Sequence, residues 1–157
     1  MAIALTLKQF LDTHHIPYEL EEHKPTSTTL ATAHACEIEP DDLAKGVLAR
    51  CKDGYVLAIV PASRRLELNQ LGGWIGQPVG LATEEDISDA FPDCATGCLP
   101  PVAAAYGLSA IVDTRLNGRR DVYFEGGDHR TLVHISGREF DRLCNDVPRV
   151  QISKPAA

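Results

Sequence analysis

Residues 44–68 read AKGVLARCKDGYVLAIVPASRRLEL, and this stretch decides the fold. Gly46–Arg50 and Tyr55–Val60 are short runs rich in Val, Leu and Ile, and Lys52-Asp53-Gly54 lies between them. An Asp-Gly turn supplies the positive φ angles that a tight hairpin needs. The second run is almost wholly apolar, which predicts a strand buried on both faces. Pro61 is expected to end that strand because proline has no N–H to donate to a ladder.

The rest of the chain mixes helical and extended patterns without strict alternation, which favours an α+β fold. Outside the hairpin, helices are predicted at about residues 7–14, 30–36, 64–71, 83–91 and 136–144, and strands at 18–22, 79–82, 109–113, 121–125 and 131–135. Thr6 and Gln9 form the pattern of a capping box, and Gly72-Gly73 is expected to end the third helix. Trp74 is expected to pack over the core. The polar chain after Asp146 is expected to fray.

Composition limits the possible functions. A chain of 157 residues has the length of one domain, and its net charge is −7. That charge argues against a protein that wraps nucleic acid through its phosphates, but it allows one that handles a terminal nucleotide or relies on a partner. The five cysteines do not form the even framework of a disulfide-stapled protein, which favours reduced thiols. No run is apolar enough to cross a bilayer and no secretory signal is visible, so we expect no membrane association and a cytoplasmic location.

Three motifs stand in order along the chain. Ala44-Lys45 opens the hairpin and places one cation at the mouth of an apolar strand. Gly97-Cys98-Leu99-Pro100-Pro101 has the form G-x-x-x-P, and Gly127-Asp128-His129 has the form G-x-H. Together with Val60–Leu66 after the hairpin, these motifs resemble the YbaK/prolyl-tRNA-synthetase-associated editing-domain family over nearly the whole chain.

The resemblance implies a fold and an activity. The implied fold is a single domain over residues 1–150, followed by a polar tail at 151–157, with a mixed, mostly antiparallel, strongly curved and partly barrel-like sheet flanked by helices. The implied activity is that of a free-standing hydrolase that deacylates mischarged tRNA in trans, without a cofactor or a metal. The implied partners are the acceptor end of a mischarged tRNA and an aminoacyl-tRNA synthetase; the oligomeric state stays open.

The resemblance also assigns roles to residues. Lys45, Gly97 and His129 are the expected catalytic residues: a cation for the terminal phosphate or the ester, a bare backbone that can approach the aminoacyl group, and a side chain that orients the ribose or a water. The expected substrate-binding residues are Thr26, Ser27, Thr28, Pro100, Pro101, Gly127 and Asp113. For the three loop hydroxyls, the sequence on its own favours capping of a helix start over lining a pocket.

Several alternatives stay open on the sequence alone. Asp113 could simply end its strand by accepting from a nearby N–H. Cys98 could act as a thiolate nucleophile, although no base is fixed beside it. His34, Cys36, Cys94 and Cys98 loosely resemble a zinc-deaminase signature, but the expected Glu and C-x-x-C spacing are missing. The rival functions are a module that binds a tRNA end or a synthetase without hydrolysis, and a deacylase for another acyl ester.

Overall fold

The computed structural model describes residues 3–156, in which helices and strands follow one another in mixed order. The strands are β1 (Glu19–Glu22), β2 (Leu43–Cys51), β3 (Gly54–Pro61), β4 (Arg64–Leu66), β5 (Gly80–Leu81), β6 (Ser109–Asp113), β7 (Asp121–Glu125), β8 (Thr131–Ser136), β9 (Arg149–Val150) and β10 (Ser153–Pro155). The α-helices are α1 (Leu5–Thr13), α2 (Thr29–Ala35), α3 (Leu68–Ile75), α4 (Glu84–Ala90) and α5 (Gly137–Leu143). Short 3-10 turns occupy Pro40–Asp42, Ala103–Tyr106 and Thr114–Leu116.

The predicted hairpin is confirmed. Strands β2 and β3 pair antiparallel from Ala44↔Pro61 to Cys51↔Gly54, and the positive φ that the turn needs falls at Gly54 (+131°). Every residue of Val56–Val60 is exposed by at most 6%. The odd and even positions of this run join two different apolar clusters. Strand β3 is therefore buried on both faces, as its continuous apolar sequence predicts.

The main sheet runs in the order β1-β8-β7-β2-β3-β6-β9, with β5 also paired to β2. Within residues 3–156, five strand pairings are antiparallel and three are parallel. The predicted single-domain fold with a mixed, mostly antiparallel sheet and flanking helices is confirmed. The strong curvature and partial barrel closure stay predictions.

The edge of β2 that faces away from β3 is divided between two partners. Leu43 and Ala44 pair in parallel with β7, whereas Ala49 and Arg50 pair with β5. Among the described strands, none pairs with the intervening residues 45–48 on this edge. A loop covers the opening, because a Cβ on Gly46 would lie 3.2 Å from the carbonyl oxygen of Leu99. Lys45 thus stands where the sheet opens.

Two helix predictions need correction. Thr6 does not cap α1: the helix begins at Leu5, and the Thr6 N–H instead donates to the Asp93 carboxylate at 2.8 Å. A tertiary contact thus replaces the local cap. The helix predicted for residues 64–71 begins only at Leu68, because Arg64–Leu66 forms β4 against β10. That helix runs through Gly72-Gly73 and ends at Ile75, and the following residue, Gly76, forms the left-handed cap with a φ of +90°.

Two further expectations about packing are wrong. Trp74 is 51% exposed rather than packed over the core. From Asp146 to residue 156 the chain is not frayed, because it forms β9 and β10 and buries Ile152 completely. An apolar residue between two paired strands ties this polar segment down. In residues 3–156 no helix is long and apolar enough to span a membrane.

Candidate active site

A small cavity of about 190 Å³ lies where the sheet opens. Its walls come from four segments: the start of α2, residues 44–47 of β2, residues 97–99 of the proline-bearing loop, and the end of β7. Lys45 and Gly97, which are 52 residues apart in the chain, are both wall residues. The structure therefore brings the first two predicted motifs together in one cavity.

Lys45 is the cation of this cavity. It is partly buried, and burial lowers the pKa of its ammonium group below the usual value of 10.5. Desolvation disfavours the charged form, so an anionic ligand that restores the charge interaction would bind well here. Because its ammonium group is partly desolvated, Lys45 gains more from pairing with an anionic ligand than a fully solvated edge lysine would.

Gly97 presents backbone to the cavity. Its φ of +89° is a left-handed conformation that favours glycine. Its N–H donates no hydrogen bond within residues 3–156, so a ligand could use it. The two residues that close the motif, Pro100 and Pro101, are both buried and fix the loop against the core. They support the loop rather than line the cavity.

The third motif packs directly against this loop. A Cβ on Gly97 would lie 3.5 Å from Cε1 of His129, so the imidazole is beside the bare backbone. His129 has a φ of +63°, which is uncommon for a residue other than glycine. The carbonyl of Gly127 accepts a hydrogen bond from the Ala95 N–H at 2.8 Å. That bond joins the G-x-H turn to the loop, and all three motifs converge.

The remaining predicted residues lie elsewhere. Asp113 is completely buried, and its two oxygens accept from the backbone N–H groups of Arg115 (2.8 Å) and Ile152 (2.9 Å). Its carboxylate therefore holds the strand end and the C-terminal segment, and it is not a wall of the cavity.

Two of the three loop hydroxyls before α2 serve the helix. The Thr28 side chain caps α2 by accepting from the Ala31 N–H at 3.0 Å. Thr26 shares a hydrogen bond with the Thr32 hydroxyl, and Ser27 is exposed. The wall residue from this segment is the next one, Thr29.

Sequence reasoning missed a carboxylate at the cavity. Glu125, the last residue of β7, is 8% exposed and forms part of the wall. Its Oε1 lies 3.2 Å from Nε2 of His23, and burial raises the pKa of its carboxyl group. The available signal was a carboxylate directly before the Gly126-Gly127 turn, following the apolar run Val122-Tyr123-Phe124. Its partner is 102 positions away, so no local pattern indicates the pair.

Two alternative chemistries gain no support from the geometry. Cys98 is 1% exposed, and burial raises the pKa of its thiol to about 12. A reactive thiolate needs the opposite environment. Within residues 3–156, no three His, Cys, Asp or Glu side chains are close enough together to form a metal-binding group, so the zinc-like pattern of His34 and the cysteines does not assemble.

A larger cavity of about 540 Å³ lies elsewhere, beside Tyr55, Trp74 and Pro148. None of the predicted site residues lines it. We therefore assign the candidate site to the smaller cavity, where Lys45, the bare backbone of Gly97 and Glu125 line the same space.

The fold and this cavity define a single-domain protein with a mixed sheet and a small polar site beside β2, where the sheet opens between β7 and β5. Residues 23–143 match the family model of the aminoacyl-tRNA editing domain, and the chain belongs to that family. The resemblance seen in the three motifs is thereby confirmed. Membership supports a role in tRNA editing. A search of curated proteins finds no match to the chain.

Solved structures share this fold. A hypothetical protein aligns with a TM-score of 0.83 and 23% identity, covering 95% of this chain and 99% of that one. A candidate trans-editing enzyme for prolyl-tRNA synthetase aligns with a TM-score of 0.81 and 24% identity, covering 95% of each chain. A candidate signal transduction protein from Marinobacter aquaeolei VT8 aligns with a TM-score of 0.76 and 18% identity, covering 97% of this chain and 31% of that one. At these identities the likeness concerns the fold.

Proposed function

We propose that this protein is a trans-editing deacylase that hydrolyses the ester bond of mischarged aminoacyl-tRNA at the terminal ribose. The observation that carries the proposal is the shared cavity, in which Lys45 and the bare backbone of Gly97 face one space and the His129 ring lies beside Gly97. Family membership and the structural likeness to a candidate trans-editing enzyme support the same assignment.

The size and charge of the protein fit a substrate held by its end. Ligand cavities usually measure about 300–1,000 Å³. A cavity of about 190 Å³ suits the aminoacyl group and little more. The net charge of −7 is unfavourable for long contact with a phosphate backbone. We therefore propose that the protein grips the acceptor end, while a synthetase partner or the tRNA's own geometry supplies the rest of the recognition.

Lys45, Gly97 and His129 each have a part in the proposed reaction. The Lys45 ammonium holds the terminal phosphate or polarises the ester, and the N–H of Gly97 donates to the carbonyl oxygen as negative charge develops there. His129 orients the ribose or the attacking water. The buried prolines keep the loop in one conformation, so the donor is already in place when substrate arrives.

The ester itself supplies the remaining reactivity. Water adds to the aminoacyl carbonyl carbon and the bond to the ribose oxygen then breaks. The neighbouring ribose hydroxyl assists proton transfer, the ribose oxygen leaves with a proton, and the amino acid leaves as a free acid. Positioning and charge stabilisation are then the enzyme's main contributions. The route invokes no metal, so we expect a chelator to leave the rate unchanged.

The test is a panel of mischarged tRNAs, with amino-acid release measured for wild-type protein and for Lys45→Ala and Gly97→Ala. Gly76→Ala is a matched control for the glycine variant, because Gly76 has a φ of +90°, open space around it and no place in the cavity. Lys52→Ala, in the hairpin turn, is the control for the lysine variant.

We expect both site variants to lose release while both controls keep it. If the two site variants release amino acid at the wild-type rate, the cavity is not the active site. If wild-type protein releases nothing from any charged tRNA but still binds an acceptor end or a synthetase, the chain is a non-catalytic binding module. Release from other acyl esters alone would assign a different deacylase.

A further inference from the structure

We propose that Glu125, held by His23, recognises the α-ammonium group of the substrate, so that this site selects aminoacyl esters whose amino group is free. This inference rests on the proposed function and names the substrate class of the same cavity. Glu125 belongs to none of the three motifs, and its side chain is a wall of the cavity.

The hydrogen bonds of His23 fix how the carboxylate is presented. Nδ1 of His23 lies 2.8 Å from the carbonyl oxygen of Lys24, which can only accept, so Nδ1 carries a proton. Nε2 lies 3.2 Å from Oε1 of Glu125. One further proton therefore lies between Nε2 and Oε1, on the ring or on the carboxyl group. The side chains of His23 and Glu125 are 4% and 10% exposed, so water does not compete strongly for this bond.

The second carboxyl oxygen is the one left for a ligand. Oε2 of Glu125 accepts no hydrogen bond from the residues that the structure describes. Whether that proton is on Nε2 of His23 or on Oε1 of Glu125, Oε2 carries no proton and remains an acceptor. An ammonium group has three donors and no acceptor, and it complements such an oxygen. An α-amino group has a pKa of about 8 and is largely cationic at neutral pH.

The two ends of the cavity set the direction of the substrate. Lys45 repels an ammonium group and attracts a phosphate, whereas the free Oε2 of Glu125 accepts hydrogen bonds from an ammonium group. Gly97 lines the same cavity, and a donor such as its N–H suits the ester carbonyl that lies between these two groups in an aminoacyl ester. Cation, donor and carboxylate thus match the phosphate, carbonyl and ammonium of one molecule. An N-acylated amino acid has no ammonium group to offer, so Oε2 of Glu125 loses its hydrogen bond to water on binding without gaining a charged donor, which is costly.

A binding measurement tests this recognition without requiring turnover. The probes are an amide-linked, non-hydrolysable aminoacyl-adenosine and its N-acetyl derivative. Their affinities are measured for wild-type protein, Glu125→Gln and Glu125→Asp. Glu125→Gln keeps the side chain's size and can donate to Nε2 of His23, so any change in the ratio of affinities is not steric. Asp121→Asn is the matched control, because Asp121 lies on the same strand, accepts from His134 at 2.9 Å and is not a cavity wall.

We expect wild-type protein to bind the free-amine probe at least tenfold more tightly than the N-acetyl probe. Glu125→Gln should bring that ratio near one, Glu125→Asp should restore part of it, and Asp121→Asn should leave it unchanged. A ratio that Glu125→Gln does not alter, or wild-type affinities that are equal, would overturn the proposal. Amino-acid release from charged tRNA is measured in parallel. Selective binding without release would leave amine recognition standing and refute the hydrolase.

Discussion

The contact between Gly46 and the 97–99 loop offers a sharp test of how the cavity works. In Gly46→Ala the new Cβ would lie 3.1 Å from Cδ1 of Leu57 and 3.2 Å from the carbonyl oxygen of Leu99. Both distances are shorter than ordinary van der Waals contact. Leu57 is fully buried and cannot turn aside easily, so the loop must move by a few tenths of an ångström.

The expected change in stability follows from two opposing terms. Overpacking of this kind costs about 1–3 kcal/mol. Replacing glycine by alanine also lowers the entropy of the unfolded chain, which stabilises by about 0.4–1 kcal/mol. The net effect is a loss of roughly 1–2 kcal/mol in the free energy of unfolding. The control is Gly80→Ala, in strand β5 next to β2, where no atom lies within 4 Å of the new Cβ. This variant has the same lower entropy of the unfolded chain without overpacking, so its free energy of unfolding should be unchanged or slightly higher.

Urea denaturation and amino-acid release kinetics measure the two consequences. A misplacement of about 1 Å can cost about a hundredfold in rate. A shift of a few tenths of an ångström in the loop should therefore lower kcat/KM by about tenfold while the protein stays folded. Wild-type kcat/KM in a Gly46→Ala protein that has lost stability would refute the idea that the Gly97 loop must sit at this distance from β2.

Three further predictions test single groups. Lys45→Met should raise the free energy of unfolding at pH 7, because burial lowers the pKa of Lys45 in the folded state. Between that lowered pKa and 10.5 the unfolded chain binds more protons than the folded one, so wild-type stability rises with pH across this window. The stability advantage of Lys45→Met should therefore shrink between pH 7 and pH 10.5, as measured by urea titrations. Asp113→Ala should lower the free energy of unfolding by roughly 3–6 kcal/mol, because two hydrogen bonds to a buried charged group are lost. Amino-acid release per folded molecule should stay at the wild-type level. Unchanged stability together with lost release would instead assign Asp113 to the active site. Cys98→Ala should keep kcat within about threefold of wild type, because a thiol with a pKa of about 12 is not a nucleophile at neutral pH, and a much larger loss in a folded variant would argue for covalent catalysis.

The parts of the fold that the sequence predicts are those with local causes. The hairpin follows from an apolar run, an Asp-Gly turn and a proline, all within residues 44–68, and the structure confirms it. Strands β6 and β7 likewise have the predicted bounds, 109–113 and 121–125. In each case a short pattern and its flanking turn residues decide the outcome.

The errors have non-local causes. Thr6 fits a capping box, but Asp93, 87 positions away, binds its N–H instead. Arg64–Leu66 fits a helix, but pairing with β10 near the end of the chain makes it a strand. Oε1 of Glu125 is bound by a histidine 102 positions earlier, and no motif marks either residue. Propensity is overridden wherever a distant segment supplies a better partner.

The candidate site was predictable in its parts but not in its assembly. Motif order indicates Lys45, Gly97 and His129, yet only the fold shows why they meet. On the edge of β2 that faces away from β3, no described strand pairs with residues 45–48, and the loop beside this opening is held by the bond from the Ala95 N–H to the carbonyl of Gly127. Gly127 must be glycine there, because its φ is +110° and a Cβ would lie 3.1 Å from Sγ of Cys94.

The glycines of the two motifs therefore have different physical duties. Gly97 leaves its backbone open to a ligand, whereas Gly127 lets two segments of the protein approach each other. Substitution at Gly127 should thus disturb the position of the loop and the stability of the fold together, since strain at a positive φ costs about 1–3 kcal/mol. Substitution at Gly97 carries similar strain, because its φ is +89°, but the new Cβ would meet only the ring of His129 at 3.5 Å, so it should displace neighbouring segments less. A site that works by positioning depends on both, because an unused N–H stabilises a developing charge only if the loop that carries it cannot drift.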